Sequence, residues 1–243
     1  MHNIIDSIKS ICEQLGLYNI ASGTLPLYDL KEDALLILER ILLQELSFKQ
    51  DKKYKILKGR SHLPEFKSFD EFDNKFQPII TDQLIERIKR MTWLIDRRNM
   101  ILMGSSGTGK THVAVAIGYY AIRNDFKVFY ATMSDLLYFL NSKDIVGKSK
   151  TRLGYIKNCD LLILDEFGYK PISNEDAVKI YDLLNQTMKS ASVIVVTNRS
   201  FDQWPAIFGD GAMAQTILDR LIGACQVLDM GDKSYRVASH QNL

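Results

Sequence analysis

One run of eight residues, Gly104-Ser105-Ser106-Gly107-Thr108-Gly109-Lys110-Thr111, limits what this chain can fold into more than any other segment. It matches G-x-x-x-x-G-K-[ST], which requires a strand to end, the backbone to turn tightly and a helix to begin. The flanks meet that demand. Met100-Ile101-Leu102-Met103 is an apolar run suited to a buried strand, and Thr111 to Arg123 is apolar enough for a buried helix. At such a helix start, backbone N–H groups surround a β-phosphate and Lys110 reaches the β- and γ-phosphates as a point charge. The Thr111 hydroxyl is then positioned to ligate Mg²⁺. The segment predicts nucleoside triphosphate binding.

Further apolar runs extend the pattern. Val128-Phe129-Tyr130-Ala131, Leu161 to Leu164 and Val193 to Val196 suit buried parallel strands, with helices expected from about Ser134 (as N-cap) and over Asn174 to Lys189. The β-α-β-α-β alternation predicts an α/β fold, a parallel sheet covered by helices on both faces. Residues 82 to 98 read as one amphipathic helix, with Leu84, Ile85, Ile88, Met91, Leu94 and Ile95 on its apolar side.

Upstream, two helical patterns (Ile4 to Leu15 and Leu35 to Leu46) flank a Gly23 to Pro26 breaker and predict a small all-α module. At 243 residues the chain has room for such a module, residues 1–67, before a nucleotide-binding domain, residues 68–243. The net charge of +2 conceals an asymmetry. Residues 1 to 48 carry seven acidic side chains against three basic ones, whereas Lys49 to Lys67 carries seven basic against two acidic. Phe66, Phe69, Phe72 and Phe76, before Pro78, suggest a linker whose rings tuck against the core. A 46% hydrophobic content argues against wholesale disorder. Cys12, Cys159 and Cys225 form no C-x-x-C pair, so buried reduced thiols are expected rather than a disulfide framework or zinc site. Neither a signal peptide nor a membrane-spanning run is present in the sequence, which predicts a cytoplasmic protein.

Asp165 and Glu166 close the Leu161 to Leu164 run, which puts both carboxylates at the C-terminal edge of a buried strand, where open α/β sheets bind ligands. Asp165 would hold the Mg²⁺ hydration shell and Glu166 would orient the attacking water. A small-molecule kinase needs no water-activating base, so the second carboxylate favours an NTPase. Thr197-Asn198 ends the next strand, and Asn198 could hydrogen-bond the γ-phosphate or the water, although Asn also ends strands for turn reasons. Arg220, in a helical pattern after Ala212, is either a solvent-facing residue or an arginine donated to a neighbour's ATP. Two basic groups are candidates for phosphate-backbone contacts: Lys49, Lys52, Lys53, Lys55, Lys58 and Arg60, and then Lys143, Lys148, Lys150, Arg152 and Lys157. His112 reads as a helix-packing residue, while His2, His62 and His240 give no metal spacing.

The P-loop run continuing into His112-Val113-Ala114, with Leu161 through Gly168, Tyr169 and Pro171, resembles the IstB-like ATPases, transposition helpers related to the DnaC helicase loaders. Residues 63 to 73, 76 to 78, 197 to 210, 217 to 221 and 231 to 236 are similar to that family's further landmarks, in order. The resemblance implies an AAA+ P-loop core with ATP and Mg²⁺ as cofactors. By implication, Lys110 and Thr111 are the Walker A pair, Asp165 and Glu166 Walker B, Asn198 sensor 1 and Arg220 the arginine acting in trans. Also implied is an ATPase that self-associates on duplex DNA, deforms it and recruits a partner transposase, both basic groups facing the DNA. A helicase loader on the same core is the alternative, distinguished by what the acidic N-terminal helices bind. Where many members have Arg-Tyr-Glu before the sensor strand, this chain has Thr187-Met188-Lys189, and of the arginine expected in a C-terminal lid only Arg236 remains as a candidate.

Overall fold

The computed structural model describes residues 2–73, 76–208 and 211–235; Gly209, Asp210, Arg236, His240 and the side chain of His2 lie outside the described residues. The described chain divides into two units, Met1–Ile56 and Leu57–Leu243, a break N-terminal to the boundary read near residue 68.

In the first unit, helices α1 (His2–Leu15), α2 (Tyr18–Ala21) and the start of α3 (Glu32–Ser61) enclose a small core of Ile5, Ile8, Ile11, Cys12, Leu27, Leu35 and Leu42. The basic stretch from Lys49 continues the same helix rather than forming a separate segment, because nothing between Glu32 and Ser61 breaks it. Lys49 donates from Nζ to the Gln14 carbonyl at 2.8 Å, which ties α3 to the end of α1.

In the second unit, α4 (Asp82–Lys89) and α5 (Thr92–Ile95) precede β1 (Asn99–Met103), α6 (Lys110–Arg123), β2 (Val128–Thr132), α7 (Met133–Ser142) and α8 (Gly147–Lys157). Then follow β3 (Leu161–Asp165), α9 (Asn174–Thr187), β4 (Ser192–Thr197), α10 (Trp204–Ile207), α11 (Gly211–Ile222) and β5 (Cys225–Asp229). The sheet order is β2-β3-β4-β1-β5, with parallel pairing throughout. Alternation of side chains splits the strands between two faces. Ile101, Phe129, Leu162, Leu164, Val193 and Val195 pack with Leu136, Ile156, Ile180 and Ile217 from α7, α8, α9 and α11. Ile163 points the opposite way, against Gly118 of α6.

Three local expectations change. The single helix over 82–98 is two helices, because Met91 takes a left-handed φ of 56° with its side chain buried. The Trp93 indole then donates to the Ile88 carbonyl at 3.1 Å, beside the Met91 N–H, which donates to the same carbonyl at 3.1 Å. Helix α7 starts earlier than expected, with Thr132 as N-cap: its hydroxyl accepts from the Asp135 N–H while the Asp135 carboxylate accepts from the Thr132 N–H. The fifth strand, β5, adds to the four that the apolar runs predict.

Cys12 and Cys159 are buried and Cys225 is half-buried, all three as free thiols; burial pushes Cys159 up to about 12 and Cys225 up to about 11. Thr187, where the resemblance leads one to expect arginine, is fully buried in the last turn of α9. Among the described residues no helix is long and apolar enough to cross a membrane.

The linker following α3 lies along α6. A Cβ on Gly118 would sit 2.8 Å from Leu63 Cδ2 and 3.0 Å from Ile163 Cδ1, between linker and sheet. Next along, the Tyr119 hydroxyl donates to the Pro64 carbonyl at 2.8 Å, and the Phe66 ring meets the Tyr119 ring edge-on. Gly118→Val overfills this contact and is expected to lower stability by about 1–3 kcal/mol. Urea unfolding checks it; an unchanged midpoint would show that the linker is not packed on α6.

Candidate functional site

Three neighbouring strands, β3, β4 and β1, end at the same edge of the sheet, and each delivers a loop to one cavity of about 620 Å³. After β1 comes the glycine loop. Gly104 follows the strand with its backbone so close to that of Gly231 that a Cβ would lie 2.7 Å from the Gly231 carbonyl oxygen. That carbonyl accepts from the Ser105 N–H at 2.8 Å, and the Met230 N–H donates to the Met103 carbonyl at 2.7 Å. The exit of β5 thus anchors the start of the loop. At the other end, Gly109 caps α6 with φ 95°, a left-handed conformation, and a Cβ there would meet Phe72 Cε2 at 2.8 Å. Only glycine suits either position.

Within the loop, Thr108 Oγ1 donates to the Ser105 carbonyl at 3.1 Å, and the Lys110 ammonium donates to the same carbonyl and to Thr108 Oγ1. Lys110 is 8% exposed, a buried cation at the N-terminus of a 14-residue helix. Both the helix dipole and that charge favour an anion in the cavity.

The end of β3 supplies the carboxylates. Asp165 is buried; its Oδ1 accepts from the Glu166 N–H at 2.7 Å and its Oδ2 from the Tyr130 hydroxyl at 2.8 Å. Glu166 is exposed, and its φ of 55° turns the chain out of the strand into a bend closed by the Tyr169 N–H donating to the Glu166 carbonyl at 3.1 Å. Positive φ is uncommon for glutamate, and such strain concentrates at functional positions. The bend is fixed to β4 by Thr197, whose hydroxyl donates to the Phe167 carbonyl at 2.7 Å and accepts from the Arg199 N–H at 3.0 Å. Asn198, between them, opens onto the cavity.

Ser106, Gly107, Thr108, Gly109, Lys110, Thr111, Asp165, Glu166 and Asn198 all line the cavity, whereas Gly104 and Ser105 lie at its base in contact with Gly231. Arg220 is exposed on α11 and is not part of the lining. None of the other basic candidates lines it either, except Lys67 of the expected basic stretch. Two segments distant in sequence do converge elsewhere in the second unit: the Arg60 guanidinium lies 5.7 Å from the centre of the Tyr155 ring on α8. His62 titrates below its ordinary value, through burial first and then the nearby Arg152 charge. Lys58 sits over the Tyr119 ring and Arg152 over the Phe139 ring, while Lys143, Lys148 and Lys150 are exposed. Lys52, Lys53 and Lys55 are exposed on α3 in the first unit.

The linker contributes what residue-type reasoning foresaw only as packing. Phe72 contacts the His112 ring at 5.3 Å between centroids, the His112 Nε2 is 2.8 Å from the Ser68 carbonyl, and Phe76 meets Tyr235 edge-on at 5.3 Å. Gln77 donates to the Met230 carbonyl at 3.1 Å. These rings, with Val115 and Val196, give the cavity an apolar side of the kind a nucleotide base occupies. The glycines that a Cβ would crowd, the buried lysine and the carboxylate edge together fit a nucleoside triphosphate. Among the described residues no group of three His, Cys, Asp or Glu side chains could hold a metal alone. Mg²⁺ does not require one, since it takes one or two protein ligands and completes its shell with phosphate and water.

The family model described as IstB-like ATP binding protein matches residues 24–242. Over 177 residues the chain is 36% identical to an insertion sequence IS232 putative ATP-binding protein of Bacillus thuringiensis subsp. berliner, covering 73% of this chain and 71% of that one. An insertion sequence IS5376 putative ATP-binding protein of Geobacillus stearothermophilus is 31% identical over 198 residues, covering 82% and 79%. Among solved structures, DnaI superposes with a TM-score of 0.56 at 19% identity, over 70% of this chain and 95% of that one. AMPPCP-bound DnaA from Aquifex aeolicus superposes with a TM-score of 0.55 at 19% identity, over 70% and 51%. These likenesses give the core an AAA+ fold with a bound-nucleotide precedent in DnaA. The chain is a P-loop ATPase that belongs to the IstB-like ATP-binding proteins of insertion sequences.

Proposed function

We propose that ATP-bound subunits of this chain assemble on duplex DNA and help a partner transposase select its target. The observation that carries this proposal is the division of labour at the sheet edge. Glu166 and Asn198 open onto the P-loop cavity, while Arg220 is exposed outside it. Such an arrangement suits a hydrolytic site that a neighbouring subunit completes.

In this reading Lys110 draws charge from the β- and γ-phosphates, and the loop N–H groups hold the β-phosphate. Glu166 takes the proton of a water that attacks the γ-phosphorus as the bond to the β-phosphate oxygen breaks; Asn198 orients that water or the γ-phosphate. Thr111 and Asp165 would hold Mg²⁺, which when bound offsets the negative charge shared by the β- and γ-oxygens. Basic residues of α3 and α8 supply the DNA contacts, and the approach of Arg60 to Tyr155 supports treating part of both groups as one surface.

Lys110→Ala is expected to abolish ATP-dependent assembly on DNA in a mobility-shift assay. Glu166→Gln should retain ATP-dependent assembly, trap the assembled state and slow hydrolysis by roughly 10²-fold or more. Parental turnover in Glu166→Gln would remove Glu166 as the base.

Charge reversal at Lys52, Lys53 and Lys55 is expected to weaken duplex binding. It should also reduce the slope of log affinity against log salt by about one for each DNA phosphate that is no longer neutralised. A slope equal to that of the parent would place the DNA-binding surface elsewhere.

A further inference from the structure

Tyr130 belongs to none of the motifs, yet its hydroxyl makes a direct contact with the Walker B aspartate. Strand β2 runs beside β3 with Tyr130 paired to Ile163 and Thr132 to Asp165. Tyr130 therefore starts two residues short of the sheet edge, and the length of a phenol carries its hydroxyl to Asp165 Oδ2, 2.8 Å away. The other oxygen, Oδ1, is held by the Glu166 N–H at 2.7 Å.

A carboxylate offers about four lone-pair sites, two on each oxygen. Here each oxygen has one site committed to a protein donor, so the buried carboxylate is clamped at both ends and has one site per oxygen left for other donors. We propose that Tyr130 is a positioning residue that holds the Asp165 carboxylate in the orientation required by the hydration shell of Mg²⁺. The role rests on the reading of Asp165 as the metal-facing carboxylate. Phenylalanine would fill the same space on β2 but leave Oδ2 without its protein donor and the carboxylate held at Oδ1 alone. Residues that hydrogen-bond metal-facing carboxylates commonly matter about 10- to 100-fold for metal affinity.

The test compares the full chain with Tyr130→Phe, Asp165→Asn and the double variant. A fluorescent ATP analogue is titrated with Mg²⁺, and the Mg²⁺ concentration at half-maximal response is read alongside analogue affinity in EDTA. Tyr130→Phe is expected to raise the Mg²⁺ midpoint roughly 10-fold while leaving affinity in EDTA unchanged. Added to Asp165→Asn, it is expected to have no further effect. Partial unfolding would also weaken analogue affinity in EDTA, so it would not imitate a shift confined to Mg²⁺. A parental midpoint in Tyr130→Phe together with a raised midpoint in Asp165→Asn would overturn the role of Tyr130. A parental midpoint in Asp165→Asn would overturn the metal-facing reading of Asp165, and the role of Tyr130 with it.

Discussion

Parallel hydrogen bonding pairs Met103 with Thr197 and Leu164 with Val195, and the site depends on that register. A slip of one residue in either pair would turn the core side chains of a strand to the wrong face and displace one of the three cavity loops from the other two. The sheet is buried on both faces by Ile, Val and Leu, which makes such a slip costly. Two side-chain and backbone ties then hold the loops at the edge. Thr197 bonds the β3 bend to the β4 turn, and the Gly231 carbonyl accepts from the Ser105 N–H near the start of the glycine loop. The glycines permit close approach of the main chain, but the register decides which loops approach.

A consequence is that the site has rigid and adaptable parts. Asp165 and Lys110 are buried and multiply bonded, whereas Glu166, Asn198 and Thr111 are exposed at the cavity. Lys110 and Asp165 are thus set by the core, whereas Glu166 and Asn198, which in the proposed function meet the attacking water, are set by turns. The linker adds a second connection: its aromatic residues run from α3 along α6 to Gly109, so the segment that follows the basic helix ends against the phosphate loop. Of the basic residues on α3, Lys49, Lys52, Lys53 and Lys55 belong to the first unit, and Lys58 and Arg60 to the second.

The P-loop and the Asp165-Glu166 pair are legible in the sequence because their chemistry requires fixed residue types at fixed spacing. Four strands are legible because buried parallel strands read as short apolar runs. The fifth is not: Cys225 to Asp229 mixes polar and apolar residues, as an edge strand with partial exposure does. The break at Met91 is invisible at that level because a left-handed non-glycine residue leaves no mark in helical periodicity. Tyr130 is hidden for a different reason. On its own strand it looks like any half-buried aromatic, and only the pairing of β2 with β3 brings its hydroxyl to Asp165. Lys49 reads as a candidate DNA-binding residue, and its bond to Gln14 is a tertiary fact that charge counting does not contain.

If ATP is the signal for assembly on DNA, mass photometry of the parental chain with duplex DNA tests it most directly. With ATP and Mg²⁺, DNA-bound complexes of several subunits are predicted, and they disappear when the nucleotide is omitted. The same distribution of masses with and without ATP would contradict that role for ATP.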